Sequence, residues 1–336
     1  MHRPLRILST SLFYYYGDTR GIEPQFYYLV KVPQSMGHEV DFFDWHTHAR
    51  GEMGGSVHMR RLFLNVLRSG RYDAAFIATF KEEFDQETLE EAKRLTTTFA
   101  FNSDDEWRWA DYSQGRAPWY SFMVTNSPTV HARFKGSTPN LLHCQWACTG
   151  FWNGRDTKKD VDFSFAGMIH GTRKEQIQAL HQRAGLAAFG MGAKELGLAA
   201  GENVPEDLRD ARFQTTLPFE TINQVWNRSK VSFTPLDSSD GRTRQIKSRI
   251  FDMGLSRTLM LAHGAPELDR YYEPGKEYVP FETLEEAAEK AGFYVRNEGA
   301  RREIAEAYAR RTQGEHLWSQ RLTGLLKEAA LLKEAL

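Results

Sequence analysis

Hydrophobic positions along this chain change period again and again. Short β-prone runs alternate with stretches whose apolar residues recur roughly every three to four positions, which predicts α/β layers on mostly parallel sheets. In the first half the pattern predicts strands at 5–11, 72–79, 97–102, 122–125 and 141–143. A turn beginning Gly37-His38-Glu39-Val40 leads into a further strand ending at Asp44, and helices fall at 26–36 and 127–134. The pattern then restarts, with strands at 161–166, 186–189, 230–234, 258–262 and 277–281 and helices at 172–183, 284–294 and 300–311. Residues 149–159, TGFWNGRDTKK, are rich in Gly, Asn and charge and read as the linker between the halves. The expected organisation is a Rossmann-like domain over 1–150, a second over 151–314, and a helical tail over 315–336 that is a candidate to pack back on the first. No repeat of solenoid period and no low-complexity run interrupts this scheme.

Composition narrows the class. With 336 residues, 41% of them hydrophobic and 13% aromatic, the chain holds material for two cores. A net charge of -1 argues against bulk nucleic-acid binding and makes any basic character local. The two cysteines, Cys144 and Cys148, leave no disulfide framework and fit a reducing cytoplasm. The first residues lack the apolar core of a signal peptide, and no run approaches the roughly 18 apolar residues of a membrane span. A cytoplasmic protein without a transmembrane segment is expected.

Candidate chemistry concentrates at 245–255, QIKSRIFDMGL. A strand at 230–234 and a turn-rich stretch, PLDSSDGRTR at 235–244, precede it, so a helix is expected to follow. At about 100° per residue, Ile246, Ile250 and Met253 share one side while Gln245, Arg249, Asp252 and Ser256 line the other. Free backbone N–H groups at a helix start attract phosphate, and Arg242, Arg244, Lys247 and Arg249 add positive charge there. The Asp252 carboxylate could accept two hydrogen bonds from a ribose diol, or it could pair with Arg249 on the surface.

Other candidates sit at expected strand ends. Gly17, with Asp18 and Arg20, lies in the loop after the first strand, where an α/β sheet meets its ligands, although an ordinary turn reads the same way. Tyr14, Tyr15 and Tyr16 offer either stacking faces or core. The pair Asp104-Asp105, flanked by Trp107 and Trp109, reads as a structural turn, a sugar-stacking edge or an incomplete metal site, and Asp105 is a conceivable acceptor base. His263, with the Gly264 backbone and Glu267, closes a strand where a pyrophosphate could be touched; equally, Pro266-Glu267 could simply open a helix. His46, His48 and His58, and His143 with Cys144 and Cys148, lack zinc spacing, although cysteines four apart on a helix could approach one another.

Several blocks taken in order resemble the spore-maturation (CgeB-like) branch of the GT-B glycosyltransferases. They are NSDDEW at 102–107, VDFSFAG at 161–167 followed by Arg173, AFGMG at 188–192, KSRIFD at 247–252, GAPELDRYYEPGKE at 264–277 with VPF after it, and EHLWSQR at 315–321. The resemblance implies two Rossmann-like αβα domains facing each other across a cleft. It implies transfer of a sugar from a nucleotide-diphosphate donor held mainly by the second domain to an unidentified glycan, protein or small-molecule acceptor held by the first, with retention of configuration. By that analogy Arg173 and Lys247 neutralise the diphosphate with help from Arg249, and no metal or tightly bound cofactor is expected. Asp252 stands where the family usually has a ribose-binding glutamate. The sugar-contacting glutamate of related retaining enzymes lies eight positions earlier, where this chain has Arg244; Asp237 and Asp240 are substitutes. Such transfer requires electrostatic stabilisation of the leaving diphosphate and alignment of the acceptor, which makes Lys247 and Asp105 the catalytic candidates. Two other readings stay open: a non-catalytic nucleotide-sugar-binding protein of the same fold, consistent with Arg244, and a sugar-nucleotide epimerase, which needs acid/base groups around the sugar ring.

Overall fold

β-branched and aromatic runs close into two fully parallel sheets, each in its own unit. The computed structural model describes residues 3–14, 19, 21–50, 55–190, 192–193, 196, 204–209, 217–238 and 243–332. The units are Met1–Trp146 together with Trp318–Leu336, and Ala147–Leu317.

In the first unit β1 (Arg6–Ser11), β2 (Glu39–Asp44), β3 (Ala74–Ile77), β4 (Thr97–Asn102), β5 (Phe122–Thr125) and β6 (Leu141–His143) take the order β2-β1-β3-β4-β5-β6. Ile7 is in register with Val40 on one side and with Ala74 on the other. A parallel sheet needs cover on both faces, and helices absent from the expected list help provide it. The helix Gly55–Gly70 spaces Met59, Phe63 and Leu67 four residues apart, and all three are buried. The helix Gln86–Leu95 is capped by Asp85, whose carboxylate accepts from the Thr88 N–H at 2.9 Å.

The single helix expected at 26–36 is three pieces: Pro24–Phe26, a π-helical turn at Tyr27–Lys31, and Val32–Ser35. Pro33 lacks the amide hydrogen that a regular helix needs at that point, and the wider turn absorbs the defect. Tyr28 from this segment stacks on Trp318 at 5.0 Å, which seats the helix Trp318–Glu328 in the first unit.

In the second unit β7 (Val161–Ala166), β8 (Ala187–Phe189), β9 (Ser229–Thr234), β10 (Leu259–His263) and β11 (Val279–Phe281) take the order β11-β10-β9-β7-β8. Phe163, Phe165, Val231, Phe233, Leu259 and Leu261 fill its core with Ile177 and Leu180 from the helix Arg173–Ala184. The helix expected across 245–256 contracts to Ser248–Asp252 followed by a 3-10 turn at Gly254–Ser256. Both of its sides are covered. Ile250 and Met253 are fully buried, but so on the polar stripe are Asp252 (5% exposed), Gln245 and Ser256. A surface ion pair between Arg249 and Asp252 is therefore not what the chain forms. Cys144 and Cys148 lie in extended chain rather than on a helix. Burial pushes both thiols up to about 12, so they stay protonated at neutral pH. Among the described residues no helix is long and apolar enough to cross a membrane.

Candidate functional site

The carboxyl ends of β7, β9 and β10 gather most of the charged candidates of the second unit. Gly167 follows β7 at φ +139°, and a Cβ there would stand 2.9 Å from the Arg249 guanidinium, so only glycine leaves that space open. Arg249 lies over the Phe165 ring, its Cζ 4.7 Å from the centroid, and donates to the Ala166 carbonyl at 3.4 Å. Arg173, 4% exposed, is the first residue of its helix and ties two loops together. It donates to Met168 O at 3.2 Å in the loop after β7 and to Asp237 O at 2.6 Å in the loop after β9, and it meets His170 Nε2 at 3.2 Å. The Asp237 carboxylate accepts from the Gln176 amide at 2.7 Å. The two arginines are close enough to repel each other. Burial, and then Arg173, bring the Arg249 guanidinium down to about 9, with Asp252 opposing, so it remains cationic at pH 7.

His263 ends β10 with its ring 4.4 Å from that of Phe281. It is 7% exposed, and its Nδ1 has no hydrogen-bond partner among the described residues. Burial holds the imidazole below its ordinary range; Asp237 opposes this, Arg244 adds to it and Glu282 opposes it again. The ring is therefore neutral at pH 7, offering a buried nitrogen to a ligand. Gly264 follows, where a Cβ would meet the Glu282 carboxylate at 2.6 Å. Glu267 is exposed in the first turn of the short helix Pro266–Asp269.

Lys247 is half-buried and extended, one residue before Ser248–Asp252. That helix has only five residues, so what this position offers an anion is the ammonium charge rather than a helix dipole. Arg173, Arg249, Asp237, His263 and Gly264 thus converge at one sheet edge, while the Asp252 side chain is buried to one side near Tyr308. Arg244 is exposed. Gly17, Asp18, Arg20, Asp240 and Arg242 lie outside the described residues.

Asp105 belongs to the first unit and is fully buried. Its Oδ1 accepts from the Ser113 hydroxyl at 2.5 Å, and the Ser113 oxygen accepts from Asn102 Nδ2 at 2.9 Å. Burial raises the Asp105 carboxyl above the usual range, while Ser113, Thr125 and Arg108 favour its charge. Asp105 thus orients Asn102 through Ser113. With Nδ2 engaged, Asn102 Oδ1 remains without a partner among the described residues, as do Gln25 Oε1 and Asn126 Oδ1. All three amides are at most 9% exposed and line one small pocket of about 20 Å³ with Tyr28, Trp146 and Trp318. Three carbonyl oxygens against aromatic walls suit a hydroxyl or amino group, and the space holds about one water-sized group. Sequence reasoning missed Gln25 and Asn126. The signal available for Asn126 was its position just after β5, as for Asn102 at the end of β4; Gln25, inside the short helix Pro24–Phe26, gave none.

Two residues before Gln25, Glu23 caps the helix start. Its carboxylate accepts the Gln25 N–H at 2.6 Å, and burial raises it from 4.5 to about 8. An acid with a raised folded-state pKa keeps its proton in the fold after the unfolded chain has lost it, so stability falls as pH rises through that window. Unfolding titrations from pH 4.5 to 8 should show this slope in the wild type and its loss in Glu23→Gln; parallel curves would reject it.

Residues 173–327 match the glycosyl transferase-like family model. Among curated proteins none matches the sequence. Of solved structures, a glycosyltransferase from Rickettsia africae is similar at 10% identity and a TM-score of 0.64, over 99% of this chain and 100% of that one. HepE from Anabaena, solved with UDP and glucose, is similar at 11% identity and 0.60, over 98% of this chain and 100% of that one. A sucrose-phosphate synthase from Thermosynechococcus elongatus is similar at 11% identity and 0.60, over 97% and 99%. With two parallel-sheet α/β units and these likenesses over nearly its whole length, the chain has the GT-B glycosyltransferase fold, and residues 173–327, which begin in the second unit and end in the last helix of the first, are similar to the glycosyl transferase-like family.

Proposed function

We propose that the chain transfers a glycosyl group from a nucleoside-diphosphate sugar to an acceptor that presents a hydroxyl or amino group. The observation that carries this reading is the convergence of Arg173 and Arg249 beside neutral His263 at the carboxyl ends of β7, β9 and β10. The buried Arg173 and the half-buried Arg249 provide planar, multidentate donors for the oxygens of a leaving diphosphate, and Lys247 adds a point charge in the adjoining segment. Glycosyl transfer asks mainly for stabilisation of that leaving group and for alignment of the acceptor. In this reading Asp252 serves the ribose. The amide pocket of Gln25, Asn102 and Asn126 takes the hydroxyl or amino group of the acceptor, with Asp105 as a positioning residue rather than a base. Because HepE was solved with UDP, uridine donors are the first to test. Retention of configuration is part of the proposal, with Asp237 taking the place of the acid that Arg244 replaces.

Arg244 at that position also favours a second reading, a protein that binds nucleotide sugars without transferring them. A thermal-shift panel of nucleoside-diphosphate sugars tests binding, and product analysis with the best donor separates the two readings. Lys247→Ala should weaken diphosphate binding by about 1.5–3 kcal/mol, the loss of one charge-assisted contact, with the fold intact. Equal affinity in the folded variant would remove Lys247 from the site.

A further inference from the structure

A second cluster of cations occupies the opposite edge of the same sheet. Residues 154–159 precede β7, Arg257 and Thr258 precede β10, and Lys230 stands at the start of β9, so these groups meet at the amino-terminal ends of the strands. With the helix Glu298–Glu315 they line a groove of about 470 Å³ that carries seven Lys and Arg against three Asp and Glu. The chain as a whole has a net charge of -1, so this concentration is local.

What distinguishes the groove from an ordinary solvated face is its floor. Arg301 is 4% exposed, yet its Nε has no hydrogen-bond partner among the described residues. Its ion pair with Glu298 is long, 3.8 Å, and Arg302 shares the same carboxylate oxygen at 3.8 Å. The Lys159 ammonium beside it donates to two neutral oxygens, Ser256 O at 2.6 Å and Thr258 Oγ1 at 3.0 Å. Burial, followed by repulsion from Arg301 and Arg257, brings that ammonium down to about 7. Arg257 itself is matched by Glu306 at 2.9 Å. Gly154 holds the loop tight, since a Cβ there would collide with Ser256 O. Glu306 attracts Lys159, and Glu298 and Asp162 attract Arg301, but with one long carboxylate contact shared with Arg302 the two desolvated cations stay costly unless a counter-anion completes the cluster. Exposed Arg155, Lys158 and Arg302 stand at the rim.

We infer that this groove is an anion site for a phosphate-bearing ligand, separate from the carboxyl edge and seated on Arg301 and Lys159. Phosphate chemistry fits because its several acceptor oxygens can engage the buried donors and the rim cations together. The ligand could be a soluble phosphorylated molecule or an anionic lipid headgroup, and both present the same group.

Calorimetric titration of the full chain with inorganic tripolyphosphate tests the site, using wild type, Lys158→Glu/Arg302→Glu, Arg301→Met and Arg249→Met. Two classes of tripolyphosphate site are expected; the one in this groove should weaken by about tenfold or more in the double reversal and in Arg301→Met, as expected for lost charge-assisted contacts, and should persist in Arg249→Met, which weakens only the class at the carboxyl edge. The rim variant keeps the test valid if Arg301→Met does not fold. Co-sedimentation with phosphatidylcholine vesicles, with and without phosphatidylglycerol, separates the sources. Sedimentation that depends on phosphatidylglycerol and is lost in the double reversal identifies a headgroup; tripolyphosphate binding without it identifies a soluble ligand. Absence of both, affinity unchanged by the rim reversal, or binding lost only in Arg249→Met would overturn the inference.

Discussion

Replacing Arg249 with methionine is expected to lower affinity for UDP about ten- to hundredfold while leaving the melting temperature unchanged or slightly raised. The affinity loss corresponds to one charge-assisted contact, about 1.5–3 kcal/mol, with tenfold for each 1.4 kcal/mol. Stability should not follow, because Arg249 is held in place against burial and against Arg173. Methionine is unbranched and polarizable and can keep the contact with the Phe165 ring. Exchanging a buried charge for an apolar side chain of similar shape is often neutral or stabilising; loss of the favourable charge facing Asp252 offsets part of that gain. Calorimetric UDP titration and thermal unfolding of the same preparation check both halves. A variant that melts early and binds UDP normally would make Arg249 a structural residue and leave the diphosphate to Arg173 and Lys247.

Asp105→Ala should have the opposite profile, a loss of roughly 2–3 kcal/mol in stability with unchanged UDP affinity. Its carboxylate is the acceptor that fixes the Ser113 hydroxyl, and through it the Asn102 amide. Truncation leaves a buried donor unanswered and opens a cavity, two effects that add. Asp105→Asn retains an acceptor oxygen and the size of the side chain, so it should recover most of the stability. Under the positioning role its kinetic effect appears in acceptor KM more than in kcat, and the pH profile keeps its shape. If Asp105→Asn folds normally but turnover disappears and the acidic limb of the pH profile goes with it, Asp105 is an acceptor base after all.

The two profiles mark how far local sequence carries. Strands were legible almost to the residue: β4, β5 and β6 and the later β7 fall at the expected bounds. Their runs are short, apolar and buried on both faces, so periodicity and composition record them without help from distant residues. The gathering of positive charge around 242–249 was legible too, because the density of Lys and Arg after a turn is a local fact. The Gly55–Gly70 helix was also written locally, in the spacing of Met59, Phe63 and Leu67, and was overlooked rather than hidden.

Other features were decided only by packing. The stripe Gln245, Arg249, Asp252 and Ser256 looks like a solvated helix face, but the neighbouring elements bury Gln245, Asp252 and Ser256 and half-bury Arg249. A helical wheel ranks residues around one axis and says nothing about what is laid over each side. Asp105 reads as an available acid beside Asp104 until Ser113 and Asn102, from other turns of the chain, enclose it. The neutral state of His263 depends on burial against Phe281 and on repulsion from Arg244, which outweigh the pull of Asp237 and Glu282. Arg301 and Lys159 are 142 positions apart in numbering, and neither is remarkable within its own window. By itself the sequence determined the strands, their parallel α/β class and the stretch where positive charge gathers, since each is set by neighbours along the chain. Tertiary structure alone decided which polar side chains lose water and which charges face each other, because desolvation and Coulomb energy depend on distance in space between residues that the chain keeps far apart.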